Sequence, residues 1–144
     1  MTNVAQVILD KSEQTIFTIS PEATVLEAIS LMADKGIGAV VVTDQDKKVV
    51  GILSERDYTR KVMLMERTSK ETSVSEIMTA KVLTVTKSTS VEDCLGLMTD
   101  RHLRHLPVVE NDKLVGLISI GDLVKAVMDD QRKLIDQLQQ YIAS

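Results

Sequence analysis

The stretch VVGILSERD at residues 49–57 returns later in the chain as LVGLISIGD at residues 114–122. Both lead from two apolar residues through a glycine and two more apolar residues to a serine, with an aspartate three positions after the serine. The similarity extends outward, because residues 16–63 align with residues 82–128 with a single gap opposite Lys48. Identical residues recur along the whole alignment, so the chain contains an internal duplication.

Each copy of the repeat predicts the same order of elements, β-α-β-β-α. In the first copy, Thr24 and Glu27 have the spacing of a capping box, and Gly36 stands where a glycine commonly ends a helix. Two apolar, β-branched runs then predict two strands, which a second helix follows. A repeat of about 47 residues is marginal as a domain because it leaves too much apolar surface in water. We therefore predict an α/β (α+β) fold in which the two repeats pack sheet to sheet about a pseudo-twofold axis, followed by a C-terminal helical extension.

The duplication divides the chain into four predicted segments. These are a first repeat with a lead-in helix (1–65), a linker (66–72), a second repeat with its own lead-in helix (73–128) and a helical extension (129–144). The lead-in helices are predicted because VSEIMT, before the second repeat, resembles VAQVIL near the amino terminus. The extension carries an apolar stripe, which packs either on the body of the protein or on a partner subunit. The stripe consists of Leu134, Ile135, Leu138, Tyr141 and Ile142.

Composition excludes several classes of protein. The 144 residues carry a net charge of -4, whereas a nucleic-acid-binding protein usually presents a basic face. The longest apolar run, around IGAVVV, is far shorter than a membrane span, and the amino terminus has no basic-then-apolar signal segment. The single cysteine, Cys94, cannot form an internal disulfide. We therefore expect a cytoplasmic protein with neither a nucleic-acid nor a membrane partner.

The repeated stretch predicts a strand-to-helix junction in each copy, here named the first corner (residues 51–57) and the second corner (residues 116–122). A glycine inside an apolar strand suggests that another group approaches its backbone closely. The serine lies at a helix N-terminus, where free N–H groups favour a phosphate, and the aspartate can accept two hydrogen bonds from a ribose diol. Ser-x-x-Asp is also the pattern of a helix cap that needs no ligand. The two interpretations are compatible.

The two repeats, the corner in both copies and the RHLPVV strand entry of the second copy resemble a tandem pair of cystathionine-β-synthase (CBS) domains, the Bateman module. The resemblance covers residues 4–128 and is strongest to small stand-alone bacterial pairs with SERDY in the first repeat and SIGDL in the second. It implies binding of an adenosine ligand (AMP, ADP, ATP, NAD or S-adenosylmethionine) in the cleft between the repeats. It also implies a homodimer of pairs in a flat disc, and a regulated protein partner whose identity the sequence does not give.

The resemblance further implies a role for each residue of the two corners. The ribose hydroxyls would be held by Asp57 and Asp122. The phosphate side would be faced by Ser54 and Ser119. The cationic candidates for the phosphate are Arg56, Arg104 and His105. None of these three has a cationic counterpart in the other copy, so the two sites are not expected to be equivalent.

The adenine base is expected to lie against extended stubs that precede the first helix of each repeat. These stubs are Thr18, Ile19, Thr84 and Val85. The strand entries would close over the base largely through backbone groups. These entries are Ile37, Gly38, Ala39, Leu103, Arg104 and His105.

The other reactive side chains do not indicate a metal site or a catalytic site. His102 and His105 are three residues apart, but HLRH leads out of a helix into a strand, so a zinc site is not expected. Cys94 aligns with Ala28 on an apolar helix face, which indicates a buried small residue. The sequence contains no nucleophile elbow, phosphate-loop lysine motif or paired catalytic carboxylates, so we expect no enzyme, no catalytic residue and no catalytic cofactor. Two functions remain, a nucleotide-sensing regulatory module and a structural dimerisation module without a ligand.

Overall fold

A computed structural model describes residues 2–11 and 15–143 of the chain. Its helices and strands follow the order predicted for two repeats. In chain order they are α1 (Val4–Asp10), β1 (Thr18–Ile19), α2 (Val25–Lys35), β2 (Ala39–Thr43), β3 (Val49–Ser54), α3 (Glu55–Tyr58), a π-helical turn (Thr59–Met63), α4 (Val74–Ile77), α5 (Val91–Arg101), β4 (His105–Glu110), β5 (Lys113–Ser119) and α6 (Ile120–Ala143). The predicted α+β class, with its two repeats and C-terminal helical extension, is confirmed.

The chain forms two compact units that are not continuous in sequence. The first-repeat unit consists of Thr15–Leu83 and Val109–Val115. The second-repeat unit consists of Met1–Gln14, Thr84–Val108 and Gly116–Ser144. The segment boundaries drawn along the chain from the sequence stay a prediction, because these units group residues by contact and not by chain order.

The first-repeat unit is built on a three-stranded sheet in the order β1-β2-β3. Strand β1 runs parallel to β2, and β2 runs antiparallel to β3. Helix α2 begins at a capping box of Thr24 and Glu27 and ends at Gly36, whose φ of 65° is the left-handed conformation that glycine adopts at no steric cost. The apolar face of α2 packs on the sheet and closes the core. The buried core residues of this unit are Val25, Ala28, Met32, Val40, Val42, Leu53, Val62, Val74 and Ile77.

The second-repeat unit has a smaller sheet, in which β4 is paired with β5. The stub before α5 is reduced to one parallel bridge between Val85 and Val108, so it is not a strand like β1. Helix α5 is capped by Ser90 and ends at His102, which has a φ of 56° where the first copy has a glycine. The buried apolar residues of this unit are Val4, Val7, Val85, Val91, Cys94, Met98, Leu106, Val108, Ile118 and Leu123.

The lead-in helices are exchanged between the repeats. Helix α1, which precedes the first repeat in sequence, joins the second-repeat unit through Val4 N–H to Thr89 O at 2.9 Å. Helix α4, which precedes the second repeat, joins the first-repeat unit through Val74 N–H to Ala23 O at 2.8 Å. Each unit is therefore completed by a helix from the other part of the sequence.

Helix α6 extends beyond the body of its unit. Leu123 is fully buried, and Thr2 Oγ1 donates to Asp130 Oδ1 at 2.7 Å, so the first half of the helix is held by neighbouring elements. From residue 131 to residue 143 every side chain is exposed. Within the part of the chain that the structure describes, no helix, including the 24-residue α6, is both long enough and apolar enough to cross a bilayer.

Candidate functional site

The first corner is a closed hydrogen-bonded cap. Strand β3 ends at Ser54, and the carboxylate of Asp57 turns back to accept from the Ser54 N–H at 3.0 Å and from the Ser54 Oγ–H at 3.1 Å, both at Oδ2. The Asp57 N–H donates to Ser54 Oγ at 3.2 Å. The other carboxylate oxygen, Oδ1, lies 3.4 Å from Lys61 Nζ, one helical turn later. The predicted capping interpretation is therefore confirmed here.

The second corner repeats the cap but has a different cation. The Ser119 N–H donates to Asp122 Oδ2 at 2.8 Å, and the Asp122 N–H donates to Ser119 Oγ at 3.2 Å. The ammonium of Lys11, just after α1, donates to the same Oδ2 at 2.9 Å and to Leu117 O at 2.8 Å. The carboxylate of Asp122 thus forms an ion pair with a residue from the opposite end of the chain.

Protein atoms closely approach both strand glycines. A Cβ added to Gly51 would lie 2.9 Å from Cγ of Met78 and 3.1 Å from the backbone oxygen of Thr79, both at the end of α4. A Cβ on Gly116 would lie 2.8 Å from Cδ1 of Ile8, in α1. The close approach expected at these glycines is therefore made by the exchanged lead-in helices.

The strand entries are joined to the corners through backbone hydrogen bonds that match between the copies. In the first-repeat unit, Glu55 N–H donates to Gly38 O at 3.1 Å. In the second-repeat unit, Ile120 N–H donates to Arg104 O at 2.9 Å. The residue before each entry is held to the end of the preceding helix, by Ile37 N–H to Met32 O at 3.0 Å and Leu103 N–H to Met98 O at 2.9 Å. Each corner therefore lies beside its own strand entry, and the role of that entry toward a ligand stays a prediction.

The stubs lie farther from the corners than the strand entries do. Ala39 pairs with Ser54 across β2 and β3, whereas Thr18 is paired with Val41, two residues farther along β2, or about 6.6 Å. Ala39 and Val85 are almost fully buried, so a ligand could reach only their backbone atoms. The Val85 N–H already donates to Pro107 O at 3.0 Å. Thr18, Gly38, Thr84 and Arg104 are exposed, and Ile19, Ile37, Leu103 and His105 are half-buried.

Burial and neighbouring charges shift the pKa of two residues at the second corner, Asp122 and His105. Burial alone would raise the pKa of Asp122, but hydrogen bonds from the Ser119 backbone and the Lys11 ammonium outweigh it and hold this pKa below its ordinary value. Burial lowers the pKa of His105, and the positive charges of Lys11 and Arg104 lower it further against the opposing pull of Asp122. The lowered pKa favours neutral His105 near pH 7, and its predicted role toward a phosphate stays a prediction.

Two lysines, Lys11 and Lys61, contact the corner carboxylates but were not predicted from the sequence. Lys61 follows Asp57 by four residues, a spacing that indicates an ion pair on a helix, so this contact could have been found. No local pattern indicates Lys11, because its partner is far away in sequence. Arg56, the predicted cation of the first corner, lies exposed in α3.

The surroundings of Cys94 and His102 do not favour nucleophilic or metal-binding chemistry. Burial raises the pKa of the Cys94 thiol to about 11, with a smaller contribution from the charge of Asp93, so this thiol is protonated and unreactive near neutral pH. His102 is the left-handed residue that ends α5. Among residues 2–11 and 15–143, no group of histidine, cysteine or acidic side chains is arranged to hold a metal ion.

Two surface cavities adjoin predicted residues of the second-repeat unit. A cavity of about 540 Å³ includes the stub residues Thr84 and Val85 and three acidic side chains of α5, Glu92, Asp93 and Asp100. These carboxylates favour a neutral or cationic group over a phosphate. A smaller cavity of about 250 Å³ lies next to Lys11 and Asp122.

Comparisons with known proteins agree on one family. The CBS domain is matched twice, at residues 7–64 and 74–129. A protein with CBS domains from Burkholderia ambifaria MC40-6 has a solved structure that is 55% identical, with a TM-score of 0.85 over 90% of this chain and 96% of that one. The CBS-domain containing protein ATU1752 from Agrobacterium tumefaciens is 39% identical, with a TM-score of 0.80 over 87% of this chain and 98% of that one.

Curated relatives show the same domain in proteins of different length. The CBS domain-containing protein CBSX3, mitochondrial, from Arabidopsis thaliana is 41% identical over 123 residues, which cover 83% of this chain but only 60% of the plant protein. The CBS domain-containing protein YhcV from Bacillus subtilis is 32% identical over 86% of this chain and 87% of its own length. With two CBS domains in tandem along most of its length, the chain belongs to the CBS domain family, which is known for regulatory ligand binding and not for catalysis.

Proposed function

We propose that the chain is a regulatory module that binds an adenine nucleotide (AMP, ADP, ATP or an NAD-type ligand) and thereby modulates a protein partner or its own subunit packing. The observation that carries this proposal is the duplicated corner. In both units an aspartate carboxylate, a serine hydroxyl and a strand-entry backbone meet at the end of a strand, with the same hydrogen bonds. A cap alone needs no strand entry beside it, whereas a nucleotide needs acceptors, donors and a backbone edge in one place.

The aspartates keep the capacity to bind a ribose while they cap their helices. An ionised carboxylate offers about four lone-pair positions on its two oxygens. At the first corner the cap uses Oδ2 of Asp57, and Oδ1 lies 3.4 Å from Lys61 Nζ. A vicinal diol could approach Oδ1 without opening the cap.

The phosphate is proposed to lie on the serine side of each corner. Ser119 immediately precedes the long helix α6, whose N-terminal dipole favours an anion, and Arg104 and Lys11 add positive charge there. Ser54 precedes only four residues of α-helix, and the positive charge at the first corner comes from the exposed Arg56 and from Lys61. The base is proposed to lie between the stub and the strand entry of each copy, in contact with Thr18 or Thr84.

One observation favours the alternative function, a dimerisation module without a ligand. Both carboxylates already have protein partners, and Lys11 holds Asp122 at 2.9 Å. A diol that displaced Lys11 would have to replace a charge-assisted hydrogen bond, which is among the stronger polar contacts in proteins. On this reading the duplicated Ser and Asp serve folding alone.

Thermal unfolding with added nucleotide separates the two functions. A ligand that binds only the folded state must raise the melting temperature, by an amount that grows with its concentration. We expect AMP to raise it more than adenosine at low salt, and added salt to reduce the difference by screening the phosphate contacts. If AMP, ADP, ATP and NAD all leave the melting temperature unchanged at millimolar concentration, the structural alternative stands and the nucleotide proposal is wrong.

A homodimer is the assembly proposed for the module. Large apolar side chains remain exposed on both units, among them Leu64 at 72% and Met128 at 48%. Met63, Leu64 and Met65 are exposed one after another along the chain, and a large exposed apolar patch usually marks an interface. Sedimentation equilibrium at micromolar concentration tests this, because a mass equal to one chain would contradict the dimer.

A further inference from the structure

The carboxylates of the two corners differ in the donors that reach their Oδ2 oxygens. At the first corner, Asp57 Oδ2 accepts from the N–H and the hydroxyl of Ser54, at 3.0 Å and 3.1 Å. At the second corner, Asp122 Oδ2 accepts from the Ser119 N–H at 2.8 Å and from the Lys11 ammonium at 2.9 Å. An ammonium ion therefore occupies the position on the second carboxylate that a neutral hydroxyl occupies on the first.

A ribose diol that binds a carboxylate through both of its hydroxyls needs both carboxylate oxygens. Each oxygen offers about two lone-pair positions, and Oδ2 already accepts two hydrogen bonds at each corner. At the first corner the Ser54 hydroxyl can give up its place by rotating about a single bond. At the second corner the donor in that place is the ammonium, and a charge-assisted hydrogen bond is about twice as strong as a neutral one. The second carboxylate is therefore harder for a diol to engage.

The Lys11 ammonium is also held near the second corner by the strand that leads into it. It donates to Leu117 O at 2.8 Å, and only 28% of the Lys11 side chain is exposed. An uncharged nucleoside would take the place of this ammonium on Asp122 and offer it no anion in exchange. A phosphate offers negative charge and three acceptor oxygens, so a phosphorylated ligand compensates the bond that its own ribose displaces.

We propose that Lys11 makes the second corner selective for phosphorylated adenosine ligands, because it occupies the oxygen that the ribose needs and transfers its hydrogen bond to the phosphate. This inference rests on the nucleotide-binding function proposed above and names the residue that determines specificity at one of its two sites. Lys11 and the Ser119 N–H already meet at one carboxylate oxygen, and the phosphate is proposed to lie on that serine side, so the ammonium needs to move little. The first corner, where only a hydroxyl is displaced, should discriminate less between adenosine and AMP.

Lys125 provides a matched control for the contact made by Lys11. Both lysines line the cavity of about 250 Å³ that adjoins Asp122, and the Lys125 side chain is exposed. Lys11→Met and Lys125→Met therefore remove the same charge from the same cavity, whereas Lys11→Met also removes a hydrogen bond to Asp122. An effect of charge alone would be similar in the two variants, and an effect of the contact would be confined to Lys11→Met.

Calorimetry with AMP and with adenosine tests the proposal in a chain that carries Asp57→Asn, which weakens binding at the first corner. In that chain we expect AMP to bind about 100-fold more tightly than adenosine. Adding Lys11→Met should weaken AMP and strengthen adenosine, so that the ratio falls below about 10-fold, while Lys125→Met should change it by less than about threefold. A loss of folded protein lowers both affinities by the same factor, so it cancels in the ratio.

The outcomes separate this proposal from the proposed function. A ratio that Lys11→Met leaves unchanged, or one that Lys125→Met reduces equally, would overturn the role of Lys11 while nucleotide binding itself stands. Binding of AMP to the native chain but not to Asp57→Asn would also overturn it, because the second corner would then take no nucleotide. A native chain that binds neither AMP nor adenosine would contradict the proposed function and this inference together.

Discussion

The two corners of the molecule have the same cap but different counter-ions. At the first corner, Asp57 lies 3.4 Å from Lys61, a residue of its own helical turn. At the second corner, Asp122 lies 2.9 Å from Lys11, which follows the exchanged helix α1. The position that corresponds to Lys61 in the second copy is Ala126. Duplication has therefore preserved the locally encoded cap, while each copy obtains its positive charge from a different part of the chain.

This difference teaches that the two corners need not bind the same ligand with the same strength. Each corner has two cationic residues nearby, Lys11 and Arg104 at the second corner and Lys61 and Arg56 at the first, but Lys11 lies closer to its carboxylate (2.9 Å) than Lys61 does (3.4 Å). We expect this closer cation to favour the second corner for phosphate.

The largest expected effect is on nucleotide affinity. Asp57→Asn and Asp122→Asn keep the size of the side chain but remove its charge and put a donor where a diol needs an acceptor. If the carboxylate holds the ribose, affinity at that corner should fall by about 1.5–3 kcal/mol, the usual range for hydrogen bonds to a charged group. Isothermal calorimetry on each variant measures this and shows which corner is used.

A 2′-deoxy ligand provides the control for this prediction. It should lose affinity for the native chain but lose little more in the variant, because the partner of the missing hydroxyl has already been weakened. Native affinity in both single variants and in the double variant would mean that the aspartates serve only as caps.

A smaller effect is expected on stability when the strand glycines are replaced. Gly51→Ala should destabilise the fold by about 1–2 kcal/mol, because its Cβ would meet both a side chain and the backbone oxygen of Thr79. Gly116→Ala should cost less than about 1 kcal/mol, because the obstructing atom is the movable end of Ile8. Urea unfolding measures both.

Gly96→Ala is the matched control for these glycines. Its Cβ would meet no atom within 4 Å, and it lies within helix α5, so we expect alanine to stabilise the fold by about 0.5–1 kcal/mol. Equal destabilisation by Gly51→Ala and Gly116→Ala would show that the two lead-in helices constrain their strands equally.

Replacing the two counter-ion lysines should change the free energy of unfolding by less than Gly51→Ala does. Lys11→Met should cost about 1 kcal/mol, because Lys11 and Asp122 are both largely shielded, with 28% and 24% of their side chains exposed. Lys61→Met should lower the free energy of unfolding by about 0.5 kcal/mol. The ammonium of Lys61 lies farther from its carboxylate, at 3.4 Å, and 44% of the Lys61 side chain is exposed. Unfolding midpoints at low and high salt test both values, and a larger cost for Lys61→Met would reverse the comparison.

The smallest expected effect concerns pH and is confined to the second corner. The folded pKa of His105 is lowered, so the unfolded chain binds the proton more readily, and the stability that neutral His105 contributes is present above pH 6.5 and lost as the pH falls below it. The carboxylate of Asp122 also has a lowered pKa, so its contribution is lost only below its unfolded value of 3.8. We expect His105→Gln to flatten the stability profile just below pH 6.5. Parallel profiles for the variant and the native chain would contradict this.

Features encoded within a few residues were predicted from the sequence. The capping box at Thr24, the glycine end of α2 and the Ser-Asp caps at both corners all follow from spacings of three or four residues, and the structure confirms them. The hydrogen bonds involved are local, so they do not depend on the rest of the fold. The roles of the same aspartates toward a ligand stay a prediction.

Features that depend on distant contacts were not predictable. The segments VAQVIL and VSEIMT are so alike that neither pattern indicates which repeat its helix joins, and the exchange of α1 and α4 is decided by packing. The ion pair of Lys11 with Asp122 follows from that exchange. The π-helical turn at Thr59–Met63 also has no local signal, since its residues would continue an α-helix equally well.

The exchange of the lead-in helices has a consequence for the order in which the protein forms during synthesis. Helix α1 is synthesised long before its backbone partners at Lys87 and Thr89. Helix α4, by contrast, emerges after the strands and helix that it joins and can dock at once. Contacts between distant parts of a chain form slowly because a long loop must close first. We therefore expect helix α1, although it is synthesised before both repeats, to reach its native place only after the second repeat has formed.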